Sequence, residues 1–293
     1  DLIQPKSIKV YQDNLSKIFE LKCKNSQSIP EINDKSVDAV VTDPPYGGNV
    51  NYSELADYFY IWIKLAMGET YKVFLPEYSD KNDEIVENPI RGKSSKDFEI
   101  GLTNGFKECH RVLKNEGIMV FTFHHKSGDT WEALLESIMN AGFYLEAVYP
   151  VHGEAENALP LIGNSNISFD LIHVCKKLLV KPTRARSWAG VRRDIRRLAR
   201  SEISEIEKGR YGRGLNPEDI KVVMIGKCLE IYSKNYGFIV DYEGNPIPLH
   251  QALVDIGKMV SGLLAKESPF PTELEDTIDS QSEIYIRYLA GHK

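Results

Sequence analysis

The run VDAVV, Val37 to Val41, is short, apolar and β-branched, and Thr42 and Asp43 carry it straight into Pro44 and Pro45. Such a run reads as a strand of a covered sheet. Two prolines cannot continue a central strand, because neither has an N–H to donate and each holds the preceding residue extended. The strand therefore ends at a sheet rim. In open α/β sheets the carboxyl ends of the strands are where ligands bind. The tip presents two acceptors in fixed geometry, the Asp43 carboxylate and the Pro44 carbonyl, with the Tyr46 ring beside them.

Two acceptors and a flat ring suit a planar base with an exocyclic amine. The lone pair of that amine is delocalised into the base and is a poor nucleophile. Accepting both hydrogens favours a pyramidal nitrogen and stabilises the positive charge that develops as a methyl group arrives. Stacking on an aromatic ring holds a base by about 1–3 kcal/mol, and a base inside a duplex must first be extruded. The alternative is a strand that merely ends in a proline turn. The strand setting of Asp43-Pro44-Pro45-Tyr46 favours the functional reading.

The remaining pattern is α/β. FELKC (Phe19 to Cys23) and GIMVFTF (Gly117 to Phe123) read as further strands, and YLEAVYPV (Tyr144 to Val151) and SFDLIHVCKK (Ser168 to Lys177) as a closing pair. Phe98, Leu102, Phe106, Cys109 and Leu113 mark one face of a helix that stops near Gly117. Asp129 is expected to cap a second helix, with Glu132 three residues on, a buried stripe of Trp131, Leu134, Leu135 and Ile138, and Gly142 beyond its end. Residues 66–97, rich in charged residues, Asn and Pro, read as a long mobile loop. Beyond residue 180 the pattern turns helical, with GFIVDYEG the one candidate strand. The expected division is a core over 1–180 and a helical region over 181–293.

The 293 residues include no run of 18 apolar residues, so no membrane-spanning helix is expected. Cys23, Cys109, Cys175 and Cys228 lie far apart without CxxC spacing, which argues for reduced core thiols and against a metal site. With no signal peptide, a cytoplasmic location is expected. The chain opens on Asp1, so a start further upstream is expected too. The net charge of −6 hides a strip from Lys181 to Gly214 with eleven basic and four acidic residues. Within it, Val191, Ile195 and Leu198 form one helical face, and Arg192, Arg193, Arg196, Arg197 and Arg200 the other. That face either grips nucleic-acid phosphates or is solvated and paired with Glu202 and Glu205.

Thr42-Asp43-Pro44-Pro45-Tyr46 resembles the fourth motif of S-adenosylmethionine-dependent amino-methyltransferases, and CHRVLKNEGIMVFTF (Cys109 to Phe123) the helix and fifth strand of their Rossmann-like sheet. DPPYGGNVNYSELADYFYIWIK with ENPIRG (Glu87 to Gly92) is similar to adenine-specific DNA methylases that carry an N-terminal domain of unknown function; the likeness extends through KCLEIYSKNYG (Lys227 to Gly237). The resemblance implies methylation of the adenine amine in DNA, with RNA amines the nearest alternative substrate. It implies that Asp43, Pro44 and Tyr46 hold the target amine and base, with Asn25 and Ser26 near the cofactor and Asp13 a weaker candidate. Asn49, Asn51 and Tyr52 either line the target pocket or form a polar turn and helix cap. Phe59, Tyr60 and Trp62 read as packing on a helix in preference to stacking. His124 and His125 lie near the expected cleft, more in keeping with a structural than a catalytic role.

The family's glycine-rich cofactor loop, Phe-x-Gly-x-Gly after its first strand, has no counterpart here, and YGRG at Tyr211 to Gly214 follows a basic helix. The expected sheet therefore lacks its first strands. A companion N-terminal segment or subunit is expected to supply that loop. The other alternative is a nucleic-acid-binding subunit that cannot hold the cofactor alone.

Overall fold

The computed structural model describes residues 24–48, 50–68, 70–123, 128–152, 169–209 and 217–265. Four strands form a mixed sheet: β1 (Val37–Thr42), β2 (Leu113–Phe123), β3 (Phe143–His152) and β4 (Phe169–Lys177), in spatial order β1-β2-β4-β3. β1 and β2 run parallel, and β4 runs antiparallel to both of its neighbours. Phe19 to Cys23 lies outside the described residues.

Between β1 and β2 come α1 (Tyr52–Met67), two single 3₁₀ turns and α2 (Ser95–Val112). A reciprocal capping box starts α2: the Ser94 hydroxyl accepts from the Asp97 N–H, and the Asp97 carboxylate accepts from the Ser94 N–H. Phe98, Leu102 and Phe106 on its apolar stripe are at most 4% exposed. Gly117 has a role other than the expected helix stop. The helix ends at Val112, and β2 already begins at Leu113 with an irregular register opposite Val37–Ala39. A Cβ on Gly117 would stand 2.8 Å from the Asp38 carbonyl oxygen and 2.7 Å from Leu113 Cδ1, so the glycine permits close strand approach.

α3 (Gly128–Asn140) buries Leu134, Leu135 and Ile138 as its spacing predicts. Asp129 falls inside its first turn and not at the capping position expected for it, and there a carboxylate meets the positive end of the helix dipole. Gly142 turns the chain into β3 with φ +92°.

The C-terminal region consists of α4 (Trp188–Glu207), α5 (Pro217–Lys234) and α6 (Leu249–Leu264). A two-residue parallel pair, β5 (Arg186–Ser187) with β6 (Ile239–Val240), ties its ends together, the latter inside GFIVDYEG. Val191 and Ile195 are fully buried, as the α4 pattern predicts, and α4 packs on α5 and α6. One apolar cluster joins Phe98, Phe121 and Leu145 to Ile195, Cys228 and Ile256, on both sides of residue 180. Burial holds the Cys228 thiol up at about 12 and raises those of Cys175 and Cys109, so all three stay protonated at neutral pH. No described helix is long and apolar enough to cross a membrane.

Candidate active site

β1 and β2 are aligned so that Thr42 sits beside Phe121. The next residues along, Asp43 and Thr122, therefore meet just past the end of β1, with Thr122 still inside β2. The Thr122 hydroxyl donates to Asp43 Oδ1 at 2.6 Å, and the Tyr46 hydroxyl donates to the same oxygen at 2.8 Å. Two donors on one oxygen fix the carboxylate rotamer, and among the described residues Oδ2 has no donor. Asp43 itself is solvent-exposed.

Tyr46 is half-buried. Its ring packs at 58° on Phe123, with centroids 4.9 Å apart. Burial is the main cause of a phenol pKa well above its ordinary value; the Asp43 carboxylate adds to the rise and the Thr122 bond opposes it. Tyr46 thus remains a protonated donor to Asp43 at neutral pH, and its ring rests on Phe123.

The chain leaves this tip through two glycines that no larger residue fits. Gly47 has φ +64°, and a Cβ there would lie 3.1 Å from Thr130 Cγ2. A Cβ on Gly48 would lie 2.7 Å from the Glu87 carbonyl oxygen. The Glu87 N–H donates to the Gly47 carbonyl at 3.3 Å. ENPIRG is thereby docked against DPPYGG. Buried Asn88 caps the second 3₁₀ turn and donates to Asn51 Oδ1 at 3.3 Å, so Asn51 braces the two segments. Glu84 accepts from the Ser53 N–H at 2.9 Å and holds the start of α1. Lys93 Nζ donates to the carbonyls of Lys81, Asn82 and Glu84. The 66–97 segment is thus organised by side chain–backbone bonds, with α1 reaching to Met67 and α2 starting at Ser95.

A cavity of about 550 Å³ opens at this end of β1. It brings together five residues singled out in the sequence: Asn25, Ser26, Asp43, Pro44 and Tyr52. Asn25 and Ser26 reach it because Arg111 ties their segment to α2, donating to the carbonyls of Ile29 and Ile32 and pairing with Glu108 and Asp34. The Asn25 side chain accepts from the Gln27 N–H, an Asx turn that fixes the loop. Asp80, Asp83 and Glu84 join Asp43 on the wall against Lys24, so the cavity favours a cationic guest. Tyr46 is outside the lining. A second cavity, about 300 Å³, lies between α3, α5 and α6 and is walled by Trp131, Leu229 and Leu253.

Other candidates are placed elsewhere. Arg192, Arg193 and Arg196 lie on α4, which packs against α5 and α6. Arg193 is exposed, while Arg192 and Arg196 are half-buried and engaged with other groups. Asn49, Asp13, His124 and His125 lie outside the described residues. Phe59, Tyr60 and Trp62 are helical, but among the described residues nothing buries Phe59, which is 64% exposed, or Trp62, which is 62% exposed, and no described residue of α1 is buried. Tyr60 is half-covered, with its hydroxyl donating to the Pro76 carbonyl at 2.9 Å.

Thr122 and Asp170 were not singled out in the sequence. Asp170, at the start of β4, acts electrostatically on the Tyr46 phenol. The signal for Thr122 was its parity: it stands between buried Phe121 and Phe123 and so shares the Asp43 side of the sheet. Comparison of the chain with protein-family models and with curated proteins returns no match.

Proposed function

We propose that the protein transfers a methyl group from S-adenosylmethionine to the exocyclic amine of adenine in DNA. The observation that supports this most is the Asp43 carboxylate. It stands at the carboxyl end of a parallel strand, exposed at a cavity, with one oxygen held by Tyr46 and Thr122 and the other without a described donor. An amine presented at Oδ2 would find a preorganised acceptor, with Pro44 beside it on the wall. In the transfer the N–C bond would form as the S–C bond of the sulfonium breaks and leaves a neutral thioether, and the Asp43 carboxylate would stabilise the positive charge gained by nitrogen until its proton leaves for solvent. Tyr46 and Thr122 keep the acceptor in place.

The cavity fits the cofactor in two respects. Its volume of about 550 Å³ lies in the usual range of about 300–1,000 Å³ for small-molecule sites. Its acidic wall suits a ligand with sulfonium and ammonium groups. Asn25, Ser26 and the backbone near Asp43 would hold it, and its chemistry would be the supply of an electrophilic methyl group. The sheet order, with β4 inserted antiparallel between β2 and β3, agrees with the closing strands expected from the resemblance. Arg193 and its neighbours on α4 are a candidate contact for DNA phosphates.

The test is transfer of labelled methyl to duplex DNA and, in parallel, to tRNA. DNA should accept label and tRNA should not. Asp43→Ala should lose transfer while retaining DNA affinity; unchanged turnover in that variant refutes the role given to Asp43.

A further inference from the structure

Three helices meet around an apolar hollow that their own packing leaves open. α5 turns Val223, Met224 and Cys228 into the core and α6 turns Ala252 and Ile256 there, all at most 1% exposed. The adjoining apolar residues Val222, Ile225 and Leu253 stay half-covered, and with Trp131 of α3 they wall the cavity of about 300 Å³. Gly226 seats α5 on β3, since a Cβ there would stand 3.0 Å from Val148 Cγ1. The volume lies at the lower end of small-molecule sites, about 300–1,000 Å³. It has room for a ring and a short tail, and none for a helix about 10 Å across.

The mouth of the cavity is polar and of one sign. Asp129 and Glu132 come from the start of α3 and His250 from the start of α6, and no Lys or Arg is among the described lining residues. His250 Nδ1 lies 2.9 Å from Glu132 Oε2. The carboxylate can only accept, so Nδ1 carries the hydrogen, and in the neutral ring Nε2 is left as an acceptor. The N-termini of α3 and α6 add about half a positive charge each, against two carboxylates. The mouth therefore combines acceptors with a net negative field.

We infer that this cavity binds a small aromatic molecule with an amine head. The ring lies among Trp131, Ile225, Leu229 and Leu253, and the ammonium group meets Asp129 and Glu132. An anionic head would face the same two carboxylates, and a guest without a donor would cover acceptors without pairing them. The site is separate from the Asp43 cavity but adjoins its supports. Trp131 meets Phe123 edge-on at 5.0 Å, Phe123 carries the Tyr46 ring, and Tyr46 donates to Asp43. Thr130, from the same turn of α3, covers Gly47. A guest against Trp131 thus sits two side chains from the Asp43 carboxylate. The inference does not depend on the reaction proposed above.

Isothermal titration of the full chain with phenethylamine is the test, with 3-phenylpropionate and 2-phenylethanol as an anion and a neutral molecule carrying the same ring. Phenethylamine should bind once per chain and at least tenfold more tightly than 3-phenylpropionate. Glu132→Gln should weaken phenethylamine at least fivefold and change 2-phenylethanol less than twofold. Val254→Trp fills the cavity from an exposed position, so it should abolish binding of the amine with the melting temperature of the free chain unchanged. Three results would overturn the inference: no saturable binding, as when the chain itself or a second copy fills the cavity; binding that survives Val254→Trp; or 3-phenylpropionate bound as tightly as the amine.

Discussion

His173 should make the fold sensitive to mild acid. It lies on β4, fully buried, stacked on Phe121 at 4.9 Å and 8° and 5.5 Å from Trp131. Neither ring nitrogen has a hydrogen-bond partner among the described residues. Burial disfavours the imidazolium and lowers its pKa from 6.5 to about 4. Between those values the unfolded chain binds the proton that the folded chain refuses, so stability rises with pH through this window and is lost as pH falls. A shift of this size is worth about 3 kcal/mol in all, and about 2 kcal/mol of it is lost between pH 7 and pH 4.5. Urea unfolding of the protein and of His173→Leu at pH 7, 5.5 and 4.5 measures it. Carboxylates common to both proteins cancel in the difference, so the variant should gain about 2 kcal/mol relative to the parent on acidification. Parallel pH profiles would refute the reasoning, since they would mean that the ring is protonated as readily folded as unfolded.

Thr122→Val removes one donor from Asp43; a hydrogen bond of about 1 kcal/mol predicts a roughly fivefold fall in kcat with little change in melting temperature, read from steady-state kinetics and thermal melts. Gly48→Ala forces a methyl group against the Glu87 carbonyl and should cost about 1–3 kcal/mol in denaturant unfolding. Phe59→Lys and Trp62→Lys change exposed positions, so stability should move by no more than about 0.5 kcal/mol while light scattering shows less aggregation; a loss above about 2 kcal/mol would show that they are packed.

Much of this architecture was legible because periodicity reports burial directly. The strands that contain Val37, Gly117, Tyr144 and Leu171 and the stripes of α2, α3 and α4 follow from spacing alone. Gly117 was misread because a glycine after a helix pattern signals a stop equally well as a close approach of two strands; only the register with Asp38 separates them. α1 misled for the opposite reason. An apolar aromatic helix reads as core, but what covers a helix is tertiary information, and here nothing described buries it. In the site, Asp43, Pro44, Asn25, Ser26 and Tyr52 were each visible as residues and do share one cavity. Thr122 and Asp170 were not, because their contribution depends on strand register. Tyr46 was visible as an aromatic beside the acceptors, yet its hydroxyl bond to Asp43 depends on the turn that Gly47 allows.

The most direct measurement is nucleoside mass spectrometry of duplex DNA incubated with trideuteromethyl-labelled S-adenosylmethionine and the protein. Labelled N6-methyladenine should form with the wild-type chain and fall at least a hundredfold with Asp43→Asn, which keeps the side-chain shape. Equal labelling by the two proteins would contradict the claim that the Asp43 carboxylate holds the reacting amine.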